Sequence, residues 1–309
     1  MTHHVLDDRE THAWFDRDDP ARLEIDPGDT VTFELREPLD GQMTPETKAA
    51  DLLAIDGSRA HSLLGPVAVR GAQAGDTLEV EILEFAHRGW GWTGWLPGMG
   101  LLAEDFPEPH LQHWRLEGRS CFFRDSDAVE VPFAPFCGVM GVAPAEAGRL
   151  DTMPPRRNGG NVDVRHLTAG TRALFPVFVP GAHFATGDGH AAQGDGEVCG
   201  AAIEAPLSAT LRFQVRRDLR VPELQFVVPS PLTTADARGF HATTAHGTDL
   251  LACARDAVRR MIDHLEAHHG LTREQAYVLC SVAADLKLSE VVNPSFVVAC
   301  YLPLAVLER

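Results

Sequence analysis

Between residues 30 and 35 apolar and polar side chains alternate as TVTFEL, and the alternation returns over 77–83 and 209–215. Successive side chains of a strand point to opposite faces, so this period of two predicts half-buried strands. Leu23-Glu24-Ile25 precedes the first strand across the turn sequence Asp26-Pro27-Gly28-Asp29. Val67-Ala68-Val69 precedes the second across Gly75-Asp76, and a looser echo joins 166–171 to 173–179. A strand, a Gly-Asp or Gly-Thr turn and another strand thus recur. Read as hairpins at irregular spacing, they exclude a solenoid and predict a mainly β fold, a sandwich or rolled barrel. Residues 122–131 read as a further hairpin. Residues 136–144, apolar and interrupted by glycine, read as a buried strand near a site.

The period changes after Arg216. Leu250, Leu251, Ala254, Val258, Met261, Ile262 and Leu265 have helical spacing, which predicts a helix over 248–268. Thr272-Arg273-Glu274-Gln275 has the form of a capping box and predicts a second helix to about Leu286. A turn over 291–295 and a terminal strand over 296–302 follow. The expected organisation is a β-rich body, residues 1–215, carrying the active site. A C-terminal α+β portion with two helices, residues 216–309, packs on it. No long linker separates them, so one continuous domain is expected. Thr44-Pro45-Glu46-Thr47 reads as a short helix start, with threonine as cap and proline first. Trp90, Trp92 and Trp95 stand among glycines in a stretch, 87–118, read as largely irregular. They form either an aromatic wall over a pocket or a loop pinned by tryptophan packing or an oligomer contact.

Composition narrows the function classes. The formal charge of −17 argues against nucleic acid and anionic membranes as partners. Only Lys48 and Lys287 are available for lysine chemistry. None of the six cysteines stands in a C-x-x-C pair, which disfavours a zinc knuckle or redox motif. The polar, acidic amino terminus resembles no targeting peptide, and no apolar run reaches the ~18 residues of a spanning helix. A reduced cytoplasmic setting is therefore expected.

The densest chemistry lies between residues 158 and 204. There is no G-x-S-x-G elbow, phosphate-binding loop or H-E-x-x-H pair. Asp188 and His190 are two apart, on one face of an extended strand, and Asp163 and Glu204 are placed to join them from neighbouring strands. A mixed set of this kind suits zinc or another first-row ion, whereas carboxylates alone suit calcium or magnesium. The competing reading has Asp188 and Asp195 capping Asp-Gly turns and His190 as an ordinary buried histidine. Glu197 and Glu204 adjoin apolar residues, so at least one is expected to be buried, with the raised pKa that suits acid–base work. His61 stands in a loop just before a strand and is a further catalytic candidate.

The segments GGNVD at 159–163, LFPVFVPGA at 174–182 and GDGHAAQGDGEVCG at 187–200 closely resemble the acetamidase/formamidase family. The likeness extends to PGD at 27–29, GPV at 65–67, GDTL at 75–78, GVMGVAP at 138–144 and VVNP at 291–294. It implies a β-rich fold, a homo-oligomer, and hydrolysis of a small amide to carboxylate and ammonia with a divalent metal. Zinc is the leading candidate, with calcium at a second site as the alternative. In the mechanism this implies, Asp163, Asp188 and His190 hold the metal. Glu204 or Glu197 moves the proton, with His61 as a further catalytic candidate. Asn161 and the backbone of Gly159 and Gly160, or of the 194–196 turn, face the substrate oxygen. Asn158 stands where many members have histidine, which keeps a non-catalytic binding protein as one alternative. A larger or cyclic amide lying against the tryptophans is the other.

Overall fold

The computed structural model describes residues 1–228, 238–291 and 295–307. Its largest sheet has six strands in the order His3–Leu6, Thr30–Glu34, Leu207–Arg216, Thr77–His87, Arg172–Pro176 and Gln225–Val227. A five-stranded sheet runs Gly159–Asn161, Phe136–Gly141, Phe184–His190, Leu63–Val69 and Leu23–Ile25. Val31, Phe33, Val80, Ile82, Leu211 and Phe213, the apolar positions of the alternating strands, are all buried. They share one hydrophobic cluster with Val67, Phe136, Met140 and Phe184 of the five-stranded sheet. The Phe184 ring lies 6.1 Å from that of Phe33 and 5.2 Å from that of Phe213. Both sheets have free ends, so the architecture is a sandwich and not a closed barrel.

The recurring Gly-Asp turns do not close hairpins. Leu23–Ile25 lies in the five-stranded sheet and Thr30–Glu34 in the six-stranded one. Leu63–Val69 and Thr77–His87 divide in the same way. The expected strand over 166–171 is instead a turn, with Thr171 N–H bonded to Thr168 O at 3.1 Å. It leads from Gly159–Asn161 of one sheet into Arg172–Pro176 of the other. Each turn carries the chain across the sandwich. Gly28 (φ 97°) and Gly75 (φ 91°) supply the left-handed geometry. Their amides bond outward, Gly28 N–H to Phe213 O at 2.7 Å and Gly75 N–H to Val177 O at 2.8 Å.

The tryptophan run is more regular than expected. Trp90–Trp95 is a strand antiparallel to His110–Glu117, and Ser120–Phe123 and Val131–Pro132 complete that sheet. The last two strands account for the hairpin expected over 122–131. Glycines in this run serve close approach, not turns: a Cβ on Gly91 would stand 2.8 Å from Glu204 O. Residues 44–47 form a turn, with Thr47 N–H bonded to Thr44 O at 3.1 Å, and the short 3-10 helix starts later, at Ala49–Ala54.

The two helices are α1 (Leu250–His269) and α2 (Arg273–Ala283). Asp249 caps α1 and Gly270 ends it in the left-handed region. The capping box of Thr272 and Gln275 opens α2 as the sequence indicates. However, α2 stops at Ala283, and Asp285–Glu290 forms a strand against Phe296–Pro303, with Phe240–Gly247 on the other side. Alternation in DLKLSE and a full edge of unpaired backbone on the terminal strand outweigh helix continuation. Residues 292–294 of the expected turn lie outside the described residues. No helix among the described residues is long and apolar enough to cross a membrane.

Helix α2 fixes the chain around 194–201. The Tyr277 hydroxyl donates to Val198 O and accepts from Leu102 N at 2.9 Å. The Ser281 hydroxyl donates to Ala201 O at 2.7 Å and accepts from Cys199 N at 3.2 Å. Gly194 N–H reaches Ser281 O at 2.8 Å, an approach that leaves no room for a Cβ beside Ala284 O.

Replacing Phe213 by alanine removes a ring packed between both sheets and is expected to cost about 3–5 kcal/mol. Phe226→Ala, at a residue 39% exposed, should stay within about 0.5 kcal/mol. Denaturant midpoints of the two variants check the contrast, and equal midpoints would contradict the assigned core.

Candidate functional site

The strand Phe184–His190 ends in Gly187-Asp188-Gly189-His190. Its glycines admit neighbouring backbone: a Cβ on Gly189 would lie 2.6 Å from Ala205 O, and one on Gly187 would overlap Ser62 O. Asp188 and His190 project to the same face, as the spacing predicts, and His190 Nε2 lies 3.3 Å from Asp188 Oδ2. Asp188 is therefore a strand residue and not a turn cap.

Beneath them runs Phe136–Gly141, whose Gly138 is the floor. A Cβ there would stand 2.7 Å from both Asp163 Oδ1 and His190 Cε1, and would overlap Asp188 Oδ2. Gly138 O also accepts from Asp163 N at 3.2 Å, which fixes the loop holding Asp163. Glu204 is pinned by reciprocal 2.8 Å backbone bonds with Trp92. Its Oε1 accepts from Ala202 N at 2.9 Å, and its Oε2 lies 3.2 Å from His190 Nε2. Asp163, Asp188 and Glu197 all have left-handed backbones (φ 45°, 58° and 42°). Non-glycine residues rarely adopt that region, and such strain concentrates at functional sites.

These groups share a cavity of about 270 Å³. His61, Asn161, Asp163, Asp188, His190, Glu197 and Glu204 all line it. His61 Nε2 is 4.0 Å from Asp188 Oδ2, so the loop histidine does join the cluster. Gly159 and Gly160 do not line the cavity; they pair with Gly141 and Met140, and Gly159 N–H bonds Arg156 O at 3.0 Å. Gly194 is likewise engaged with Ser281 O. The amides of Gly159 and Gly194 are thus already bonded within the fold, while Asn161, the other residue expected to face the substrate oxygen, lines the cavity. Asn158 is buried outside the cavity, its Nδ2 bonded to Val142 O at 2.8 Å. The asparagine at that position thus leaves the composition of the cavity unchanged. Trp92 and Trp95 line the cavity as an aromatic wall.

The electrostatics follow from burying four carboxylates around one imidazole. Burial opposes a charged His190, yet Glu204 and Asp188 outweigh it and hold the imidazole well above its usual range. Burial pushes Asp163 up to about 7, opposed by His190 and reinforced by Asp188 and Glu204. Burial also lifts Glu197 well above the usual carboxylate range, with Asp163 adding to it. Asp188 feels the same burial, but His61 and His190 hold it below its ordinary value.

A residue not singled out from the sequence organises this centre. Gln193 Nε2 donates to Asp163 O at 2.9 Å, which sets its amide and leaves Oε1 facing His190 Nδ1 at 2.9 Å. Only an N–H on Nδ1 satisfies that contact, so in neutral His190 the Nε2 lone pair faces the carboxylates. That arrangement calls for a proton or a cation at Nε2. Asp163 Oδ1 and Glu204 Oε2 are also buried without a hydrogen-bond partner. The donors therefore fit a metal ion, with the other ring nitrogen fixed as it is in metal-ligating histidines. The sequence reading grouped Asp163, Asp188 and His190. Among the described residues the donor atoms within 4.8 Å of one another fall instead into Asp188, His190, Glu204 and Asp163, His190, Glu197.

A model described as the Acetamidase/Formamidase family matches residues 2–150 and 145–309. The chain is 30% identical over 252 residues to the acetamidase of Mycolicibacterium smegmatis, covering 62% of this chain and 62% of that protein. It thus spans less than two thirds of that relative's length. A solved acetamidase from Bacillus halodurans is 31% identical, with a TM-score of 0.68 and 97% of each chain covered. A gamma lactamase from Delftia acidovorans superposes at a TM-score of 0.91 over 99% of this chain and 94% of its own. At 24% identity that likeness shows the fold.

An ion entering this cluster must displace the proton at His190 Nε2 and compete with the proton on Asp163. Affinity for zinc, measured against a competing chelator, should therefore fall as pH drops through about 7, by about tenfold per unit for each proton displaced. An affinity independent of pH on both sides of 7 would place the ion elsewhere.

Proposed function

The chain belongs to the acetamidase/formamidase family, and from that premise we propose that it hydrolyses the C–N bond of a small linear amide, formamide and acetamide being the simplest. The observation that carries this reading is His190 Nε2, set 3.3 Å from Asp188 Oδ2 and 3.2 Å from Glu204 Oε2 at the floor of the cavity. Asp188, His190 and Glu204 would hold a divalent ion. Their mixed imidazole and carboxylate chemistry favours zinc. Calcium prefers oxygen ligands, and both donor sets among the described residues include His190. When bound, the ion would supply Lewis acidity, lowering the pKa of water and polarising the amide carbonyl.

The chain's own residues account for the rest of the reaction. Water oxygen bonds to the carbonyl carbon, the C–N bond breaks, and the water proton must reach the departing nitrogen. Glu197 is the proposed carrier. As a carboxylate it accepts the proton, and its burial favours the acid so formed. It then protonates the nitrogen, so ammonia leaves and not an amide anion. Asn161 Oδ1 is buried and has no hydrogen-bond partner. It is placed to accept from the substrate N–H and so orient the amide. His61 assists by holding Asp188 ionised. A homo-oligomer in the reduced cytoplasm belongs to the same proposal.

Glu197→Gln keeps the size of the side chain and removes the proton acceptor. Ammonia release from formamide and acetamide should fall about 10²–10⁴-fold, with the thermal midpoint little changed. Turnover equal to that of the parent would exclude Glu197 as the carrier.

A further inference from the structure

The polar groups occupy only part of the cavity. The rest is apolar, and much of it comes from a small cluster separate from the main cores. That cluster centres on Met43, Leu52 and Trp92, with Leu39, Ile55 and Leu96 packed against it as only partly buried residues. Leu39, Leu52, Ile55, Trp92 and Leu96 all face the same cavity as the carboxylates. Trp95 and Met99 extend this wall. Apolar side chains normally close upon one another, because surface left in contact with water forfeits the hydrophobic stabilisation. Here they pack together and still present one face to the open cavity.

Two features fix this wall in place. The first is Glu37, buried behind the wall, whose carboxylate accepts from Leu39 N at 3.0 Å and Met43 N at 3.2 Å. It fixes the 37–43 segment and with it the position of Leu39. The second is the pair of backbone bonds between Trp92 and Glu204, 2.8 Å each. These couple the aromatic wall directly to the polar floor. The cavity, about 270 Å³, is many times the ~30 Å³ share of a water molecule. Formamide has only three non-hydrogen atoms and would leave most of the wall uncovered.

We propose that the wall is an acyl-group subsite, and that the enzyme prefers primary amides whose acyl part is a hydrocarbon chain or ring of several carbons. This deepens the amidase reading and rests on it. The amide lies over Asp188, His190 and Glu204, and its hydrocarbon part lies between Leu52, Ile55 and Trp92. Burying that part in the transition state raises kcat/KM as the acyl group grows, until the cavity is full.

The test is ammonia release by the full chain, supplied with zinc, from formamide, acetamide, butanamide, hexanamide and cyclohexanecarboxamide. Each methylene added within the cavity should raise kcat/KM about fourfold, giving roughly a 250-fold gain from acetamide to hexanamide if all four methylenes are buried. Gly57 lines the cavity, and nothing stands within 4 Å of a Cβ built on it. Gly57→Leu adds bulk at the exposed rim of the cavity and should lower kcat/KM for hexanamide more than for acetamide. Turnover of formamide and acetamide that is flat or falls along the series overturns the subsite and leaves the amidase reading standing. Ammonia from none of the five overturns both.

Discussion

One imidazole nitrogen and two carboxylate oxygens meet on three buried residues at the wall of the cavity. Buried charges of one sign cannot be left facing each other without a counter-charge, because their repulsion grows as water is removed. His190 Nε2, between Asp188 and Glu204, is where that counter-charge must sit. Much of the surrounding structure serves to keep the three groups in register. Gly138 has no side chain because there is no space for one above the floor. Gln193 fixes the histidine ring from behind and the Asp163 backbone at the same time. The left-handed backbones at Asp163, Asp188 and Glu197 are retained where the surrounding packing determines them.

The helical portion contributes to the same end from a distance. Tyr277 and Ser281 of α2 bond the backbone at Val198, Cys199 and Ala201, the chain that runs between Glu197 and Glu204. Asp285, just beyond the helix, pairs with Arg165 and accepts from Asp195 N. A β sandwich thus supplies the ligand-bearing strand ends, and α2 holds the segment carrying Glu197 and Glu204. The site needs both, since the strand carrying Asp188 and His190 supplies only one of its four carboxylates.

Much of the fold can be read in the alternation of residues. The strands around Phe33, Val80 and Phe213, the helix through Met261 and the cap at Thr272 all lie where their periods indicate. Partnership is not encoded in a period of two, which is why the Gly-Asp turns read as hairpins yet join strands of opposite sheets. The Trp90–Trp95 run reads as irregular because its glycines match turn chemistry. Their purpose becomes visible only when Glu204 O and His110 O stand beside them. In the site, Asp188, His190, Glu197 and Glu204 stand out in sequence as donors among glycines. Their division into two sets sharing His190 does not, since it depends on how far apart strands and loops lie. Gln193 has no signal beyond its place three residues after His190, and Asn158 attracts attention for a contact it does not make.

The central claim is that His190 presents Nε2 to a cation shared with Asp188 and Glu204. Its most direct test is a crystal structure of the zinc-loaded protein, with anomalous data collected on both sides of the zinc edge. The account predicts one strong zinc peak about 2.0–2.2 Å from His190 Nε2, with Asp188 and Glu204 oxygens completing the set. A zinc-saturated crystal with no peak there, and His190 Nε2 still within about 3.3 Å of both carboxylates, would contradict it.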